Sequence, residues 1–497
     1  MRMKLLFSLF LIHALSLFAE IREITIIQTA DTHSSLFQEV KDGPSWPKMA
    51  ALIKREIAAA GNGASLLIDC GDAVQGSMAS SLTGGKAGLV PILTLPYSVF
   101  VPGNHELDFG IAAYRGFCEL AGERLLCGNF RVDGQPAPKA YRLFERNGVK
   151  IAVMGMQASY FQHWLIKDEL AQCHIEKAVE AIRRILPEVL ENKPDVIILA
   201  THQGWLYGRD VRKVNEVHEI ANTFPEIDII LGAHTHRLLP GRKIGLKAWY
   251  VQPGAKGEYI SVLKVKADTE KHCVVDIQSS LKAVMPDLPE DGEMAAALRP
   301  YREKWLRECM RDTGIVLKED IGTRGRPGVT NEMSALICQA IAEAAGADVV
   351  FHNLLSQYNL RAGKVTPADL HKVVPYENRI VTAMMTAEQI EQVMKEQWMY
   401  RSSYRFSGPW NALFRHDGDS LKLCEIGGKA PEKGRWYKVA FNSHAAAGSG
   451  TSPVLRSILD SGEAGVDVSS VITRDALEAY LRRHCDDLEI RAAWIKK

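Results

Sequence analysis

The chain lacks a surplus of either charge, any Cys-x-x-Cys pair, any internal repeat and, beyond one stretch near its start, any long apolar run. Each absence removes a class of function. With 60 Lys and Arg against 59 Asp and Glu, the formal net charge is +1, so nothing marks out a basic surface for a nucleic acid polymer or an anionic membrane. The nine cysteines, Cys70, Cys118, Cys127, Cys173, Cys273, Cys309, Cys338, Cys424 and Cys485, have no thiolate-zinc spacing. Their odd number leaves at least one thiol unpaired in any disulfide scheme. No Gly-x-Ser-x-Gly turn offers a serine nucleophile.

The one long apolar run covers residues 5–18. Arg2 and Lys4 precede it and Ala19-Glu20 closes it. That is the order of a secretory signal peptide, with cleavage expected after Ala19. The run is short for a membrane span, and an uncleaved N-terminal anchor is the alternative. No cysteine lies near the cut, so a lipid anchor is not expected. The reading places the protein in the periplasm or outside the cell, without stable membrane insertion. At 497 residues the chain exceeds one ordinary core, so two domains are expected. Residues 286–291 hold two prolines and three acidic residues and read as a linker into a charged helix over 293–312. The expected division is a signal peptide at 1–19, a first domain at 20–285, linker and connecting helix at 286–312, and a second domain at 313–497.

What the chain does have is a repeated event in its first half. Residues 97–101 read as a short buried strand, broken by Pro102-Gly103 and followed by Asn104, His105, Glu106 and Asp108. Four more apolar runs end in the same kind of loop. Residues 24–27 lead to Asp31-Thr32-His33, and 66–68 lead to Asp69 and Gly71-Asp72. Residues 196–199 lead to Thr201-His202, and 229–231 lead to Gly232-Ala233-His234-Thr235-His236. Ligands of α/β folds bind beyond the carboxyl ends of strands. Asp, His and Asn donors without thiolates suit Zn, Mn, Fe or similar divalent ions. A lone Asp after a strand is usually a turn former, and a lone His a surface or core residue. That plain reading is accepted for His163, His174, His218, His272 and His371. Helices are expected over 47–60, 111–121, 174–191, 211–224 and 474–483, and a loop over 84–96. Strands are expected over 149–155, 249–253 and 259–266, the last two completing a second sheet.

The order Asp-x-His, Gly-Asp, Gly-Asn-His-Glu, His, Gly-x-His-x-His resembles the calcineurin-like metallophosphoesterases. Asp72-Ala73-Val74-Gln75-Gly76-Ser77 and Asn104-His105-Glu106-Leu107-Asp108-Phe109-Gly110 are similar to the secreted 5'-nucleotidase family, which includes periplasmic UDP-sugar hydrolases and 2',3'-cyclic nucleotide phosphodiesterases. The motifs span residues 22–265. The resemblance implies an αββα sandwich as catalytic domain and a smaller α/β C-terminal domain for specificity. It implies two divalent ions, Zn, Mn or similar: Asp31, His33 and His236 on the first, Asn104, His202 and His234 on the second, and Asp72 bridging them. It implies that His105 contacts a leaving-group or phosphoryl oxygen, with Asp108 orienting its imidazole. The residues alone also allow Asp108 to be the N-cap of a helix beginning near Ile111. The implied chemistry is in-line hydrolysis by metal-activated hydroxide.

The second half departs from the family. Val374-Pro375-Tyr376-Glu377-Asn378 resembles the family's Pro-Phe-Gly-Asn, which makes Tyr376 a stacking ring and Asn378 a base contact. The segment 441–450 has His444 at the second aromatic slot, Ser449 for the second Gly and Gly450 for the Asp of Asn-x-Phe-x-x-x-Gly-Gly-Asp. The stretch 352–358 lacks the Arg of Asn-x-Gly-Gly-x-Arg. Arg324, Arg326, Arg361 and Arg379 either supply a phosphate contact or are solvated surface charge. The expected function is a dinuclear-metal phosphoester hydrolase acting on nucleotides or related small phosphoesters. The alternatives are a phosphatase or phosphodiesterase for a non-nucleotide metabolite, a thiosulfate-ester hydrolase, and a non-catalytic metal-bearing binding protein. Rotation of the domains about the 293–312 helix is implied by family analogy.

Overall fold

The computed structural model describes residues 20–38, 43–206, 214–403, 405–449 and 452–496. The apolar run read as a signal peptide lies outside the described residues. In the first half, the apolar runs form β1 (Ile21–Thr29), β2 (Ser65–Asp69), β3 (Val99–Phe100), β4 (Tyr141–Arg146), β5 (Val149–Gln157), β6 (Val196–His202), β7 (Ile229–Leu231), β8 (Leu238–Ile244), β9 (Ala248–Pro253), β10 (Tyr259–Asp268) and β11 (Cys273–Ala283). These pair as two sheets, ordered β11-β10-β1-β2-β3 and β8-β9-β7-β6-β5-β4.

The strand period of two decides how the layers stack. Ile24 and Ile26 of β1 face inward and share a core with Ile151, Val153 and Ile198 of the other sheet. Ile27 points the other way, into a core made with α1 (Trp46–Ala60), α2 (Lys86–Thr94) and α3 (Ile111–Ala121). On the far side, Met154 and Leu199 pack against α4 (Ala178–Glu191) and α5 (Val217–Thr223). Burying each such Ile or Leu stabilises by about 1.5–3 kcal/mol over leaving it exposed, so a one-residue register slip in β1 would be prohibitive. The result is the expected αββα sandwich. Within it β1, β2 and β3 run parallel, as do β5, β6, β7 and β9. Their carboxyl ends therefore empty toward one edge, where the polar loops meet.

Helix α6 (Gly292–Cys309) carries the chain onward. Asp291 caps it by accepting from the Met294 amide at 2.9 Å, and Lys54 of α1 donates to the same carboxylate at 2.8 Å. Met294 and Leu298 anchor the helix in the first core. The second half holds a mixed five-stranded sheet. Its strands are β12 (Val349–His352), β13 (Arg379–Thr386), β14 (Gly408–Trp410), β15 (Trp436–Asn442) and β16 (Asp467–Ile472), ordered β14-β12-β15-β13-β16. Val350, Ile380 and Ala440 face α7 (Glu332–Ala345), α8 (Pro367–Val373) and the terminal helix (Thr473–His484). Phe351, Val381 and Phe441 face the opposite way, onto Ala387–Trp398 and Pro453–Asp460.

Four sequence expectations need correction. The segment 84–96 is not a loop, because Lys86–Thr94 is helical in spite of Pro91. A proline inside a helix costs about 3 kcal/mol. Ala87, Leu89 and Ile92 are fully buried in the first core, and that burial exceeds the penalty. The helix expected from 174 starts at Ala178, because Cys173–Ile175 pairs with Phe130–Val132 as a strand. The helix expected over 211–224 covers Val217–Thr223, and residues 207–213 lie outside the described residues. Strands β9 and β10 do not share a sheet: β10 lies antiparallel to β1 in the first sheet, with Ile26 opposite Leu263. All nine cysteines are free thiols.

Candidate functional site

The loops that follow β1, β2, β3, β6 and β7 converge. Asp31, His33, Asp72, His234 and His236 adopt left-handed backbone with φ of 49°, 45°, 56°, 70° and 54°. Non-glycine residues pay about 1 kcal/mol or more for that region, and such strain collects at functional sites. Here it curls each side chain inward, so that donors from separate strands reach one another.

Two overlapping groups result. Asp31, His33, Asp72 and His236 place one donor atom each within 4.8 Å of one another, and so do Asp72, His202 and His234. Asp72 belongs to both. His33 Nε2 and His236 Nε2 are 2.9 Å apart. His202 Nε2 stands 3.1 Å from Asp72 Oδ2 and 3.2 Å from Asn104 Oδ1, while His234 Nδ1 stands 3.0 Å from the same Asn104 oxygen. His202 Nδ1 lies 2.7 Å from the Cys70 carbonyl, which can only accept. The Nδ1 therefore carries the proton, and in neutral His202 a lone pair at Nε2 faces two acceptor oxygens. Such an arrangement calls for a proton or a metal ion at Nε2, and a backbone carbonyl that fixes the tautomer from the other side is typical of a metal-ligating histidine.

The electrostatics point the same way. Burial pushes the pKa of His33 and of His234 down to about 3, which leaves both imidazoles neutral and able to ligate. Burial also lowers His202, but the Asp72 carboxylate beside it wins and holds it at about 9. Asp72 in turn lies well below the usual carboxylate range: burial raises it, and the neighbouring His202 and His105 overrule that. The donors form a dense anionic and lone-pair cluster that could hold divalent ions.

His105 sits at the mouth of this cluster. Its Nδ1 is 2.8 Å from Asp108 Oδ2 and its backbone amide donates to Asp72 Oδ1 at 2.9 Å. Burial lowers its pKa, yet Asp108 and Asp72 raise it further, to about 10, so the ring is an imidazolium. The alternative role of Asp108 as helix N-cap does not hold. Gly110 occupies that position, and Asp108 ends the preceding short turn.

The cluster opens into a cavity of about 400 Å³ between the two domains. Asn104, His105, Asp108 and His234 line one wall; Tyr376, Asn378, Arg379 and His444 line the other. The Tyr376 ring lies nearly parallel to His105, with centroids 6.1 Å apart. Contacts across the domains hold this segment in place. Gln75 Nε2 donates to the Pro375 carbonyl at 2.8 Å, and the Ser81 hydroxyl donates to Glu377 at 2.6 Å. Both carboxylate oxygens of Glu377 also accept from Arg474 Nη2, at 2.8 and 2.9 Å. The His444 ring is open to the cavity but enclosed by protein. That enclosure, with cationic His105 and Arg405 nearby, pushes its pKa down to about 4.

Two families match the chain on either side of α6: calcineurin-like phosphoesterase over residues 24–238, and 5'-nucleotidase, C-terminal domain, over residues 317–457. The chain is a calcineurin-like phosphoesterase with a 5'-nucleotidase C-terminal domain. The phosphoesterase is 25% identical to Protein UshA of Yersinia enterocolitica, over 93% of its own length and 91% of that protein. It is 23% identical to a 5'-nucleotidase of Vibrio vulnificus, over 93% and 90%. The fold is that of a putative 5'-nucleotidase from Staphylococcus aureus, with a TM-score of 0.80 at 17% identity, covering 96% and 100% of the two chains.

The structure brings the seven donors, His105 and Asp108, and the cavity residues Tyr376, Asn378 and His444 to one place. Of the four arginines considered, only Arg379 lines the cavity, paired there with Glu169. Arg361 pairs with Asp320 on the surface at 2.6 Å, Arg326 lies over Trp398, and Arg324 is exposed. Gly450 lies outside the described residues. Sequence reasoning missed Trp164, whose ring is 5.4 Å from His234, and the cavity residues Glu169 and Arg405. The cluster Tyr160, Phe161 and Trp164 after β5 was the available signal, since β5 ends at the same edge as the ligand-bearing strands.

Proposed function

We propose that the phosphoesterase hydrolyses nucleotides or related small phosphoesters at a pair of divalent ions, as a periplasmic or secreted enzyme. Asp31, His33 and His236 would hold one ion, Asn104, His202 and His234 the other, and Asp72 would bridge. The observation that carries this is the pair of overlapping donor groups that share Asp72, with Asn104 Oδ1 within reach of both His202 Nε2 and His234 Nδ1, at the mouth of a substrate-sized cavity. Bound ions would supply positive charge to the phosphoryl oxygens and acidify the attacking water. The chain's own contribution is His105. Held by Asp108, its imidazolium faces the region where charge grows on the leaving oxygen, and it can deliver a proton there. Tyr376, Asn378 and His444 would receive the leaving group, with Tyr376 as a stacking face. The Vibrio vulnificus relative, a 5'-nucleotidase, supports a nucleotide as that group.

A second reading is a phosphoester other than a standard nucleotide. It is favoured by Asn353, Leu354 and Leu355, which line the cavity in the stretch without the family's Arg. Export rests on residues 1–19, and cell fractionation tests it. Among the described residues no helix is long and apolar enough to cross a membrane. The enzymatic test is phosphate release from nucleoside monophosphates, UDP-sugars, cyclic nucleotides and sugar phosphates with Mn or Zn, using His105→Ala as control. Release from nucleotides supports the leading reading, and release from other esters alone supports the second. Release no greater than the control with every substrate and metal rejects both.

A further inference from the structure

Glu106 is fully buried, and the mechanism above gives it nothing to do. Among the described residues no side-chain cation is hydrogen-bonded to it, though His202 and His105 lie near enough to feel its charge. Its partners are instead four backbone amides on two different loops. Oε1 accepts from Ala73 at 2.7 Å and Val74 at 3.3 Å; Oε2 accepts from Asp72 at 3.0 Å and also from Gly103. One carboxylate thus spans the loop after β2, which carries Asp72, and the loop after β3, which carries Asn104.

The two loops have almost no room between them. A Cβ on Gly71, whose φ is +92°, would lie 2.4 Å from the Gly103 nitrogen, and a Cβ on Gly103 would lie 2.1 Å from Asp72 Oδ1. The His105 amide adds a bond back to Asp72 Oδ1 at 2.9 Å. The separation of Asp72 from Asn104 is therefore fixed by backbone contact, and Glu106 is the only side chain that grips both backbones at once among these contacts. A buried carboxylate is expensive unless hydrogen-bonded, and amide donors meet that need here. The same donors are immobilised by it.

Resting on the two-metal reading, we infer that Glu106 is a positioning residue that holds the shared Asp72 against the Asn104 loop and so couples the two metal sites. It touches neither substrate nor metal. An amide in its place must turn its NH2 toward two backbone N–H donors in either orientation, so Glu106→Gln breaks two of the four bonds. Glu106→Asp keeps the charge and both acceptors on a stem shorter by one methylene.

The test titrates Mn into the metal-free proteins by calorimetry, with bound metal counted by mass spectrometry and amide exchange followed in the same samples. The expected result is wild type binding two ions, Glu106→Gln binding at least the second about 10- to 100-fold more weakly, and Glu106→Asp falling between. In metal-free Glu106→Gln, exchange should quicken at Asp72, Ala73, Val74 and Gly103 and stay unchanged in β13 and β15. A purely structural role predicts lowered melting temperature with unchanged metal affinity, which overturns the inference. If Glu106→Gln does not fold, Glu106→Asp decides alone: wild-type metal affinity overturns the inference, and weakened affinity with local exchange upholds it. Wild type that binds no ion rejects the two-metal reading, and this inference with it; wild type binding two ions while Glu106→Gln matches it rejects this inference only.

Discussion

The metal-facing wall of the cavity and its C-terminal wall are held by different means. On the first, Asp31, Asp72 and His202 are buried, and each is fixed by another polar group of the same cluster or by a backbone atom beneath it. On the second, Tyr376 and Asn378 are half-buried and His444 is exposed to the cavity, on segments that follow α8 and β15. These are held from behind, through Pro375, Glu377 and Arg474. The first wall is built to keep one geometry. The second can change its side chains without unmaking the cluster, which is how one catalytic half can serve altered substrates.

The contrast breaks most completely at Asp72, which belongs to both donor groups. Asp72→Asn removes the only carboxylate shared between them. Phosphate release should fall by about a thousandfold or more, since the charge stabilisation at stake is several kcal/mol. Bound metal should fall with it, as mass spectrometry of the purified protein would read. His105→Ala belongs to the same wall but not to the donor groups. It should lower kcat by about 100- to 10,000-fold and leave metal content unchanged. Asp108→Asn should reproduce part of that loss, because the imidazole would lose the carboxylate that charges it. Equal metal loss in His105→Ala and Asp72→Asn would erase the distinction between ligand and proton donor.

The two walls also differed in how far the sequence exposes them. The seven donors were legible because they lie at or a few residues beyond the ends of five strands, so local pattern and chemistry coincide. Asp108 was ambiguous in sequence, since both a dyad and an N-cap need an acid shortly before a helix; Gly110 at the cap and the bond to His105 separate the two. Glu106 lay inside a recognised motif with no role, because its partners come mostly from the other loop. Trp164 reaches the cavity against the His234 ring, and Glu169 reaches it beside Arg379 of the C-terminal domain, whose core Ile166 joins. Helix α2 was hidden by Pro91, a local signal overridden by burial.

On the C-terminal wall the expected effects are smaller and fall on binding. Tyr376→Ala should raise KM by about 5- to 150-fold if its ring stacks on the leaving group, the range given by 1–3 kcal/mol for base stacking on an aromatic. Metal content should not change. An effect on kcat alone would instead mean that Tyr376 serves by lying over His105. Ser81→Ala removes a single donor to Glu377 from the catalytic domain, while Arg474 still holds that carboxylate from its own domain. One hydrogen bond contributes about 0.5–1.5 kcal/mol, so KM should rise about 2- to 13-fold with little change in melting temperature. No change in KM would mean that the Gln75 contact to Pro375 suffices to hold the segment.

The smallest expected effect concerns His444. Enclosure and the positive charge of His105 and Arg405 lower its pKa to about 4, so the ring is neutral at every pH above that value by a unit or more. A neutral imidazole can stack on a leaving group or accept a hydrogen bond, but it adds no positive charge to attract a second phosphate. KM should therefore show no step belonging to His444 between pH 5 and pH 8, and His444→Gln should leave the shape of the pH profile unaltered while shifting KM by a constant factor. The ring's own titration, followed by NMR in the metal-free protein, should centre near 4 rather than near its ordinary value. A midpoint above 7 would place a charged imidazolium in the cavity at neutral pH. The C-terminal wall would then share the electrostatic character of the metal-facing one, and substrates with a second anionic group would be the ones to try first.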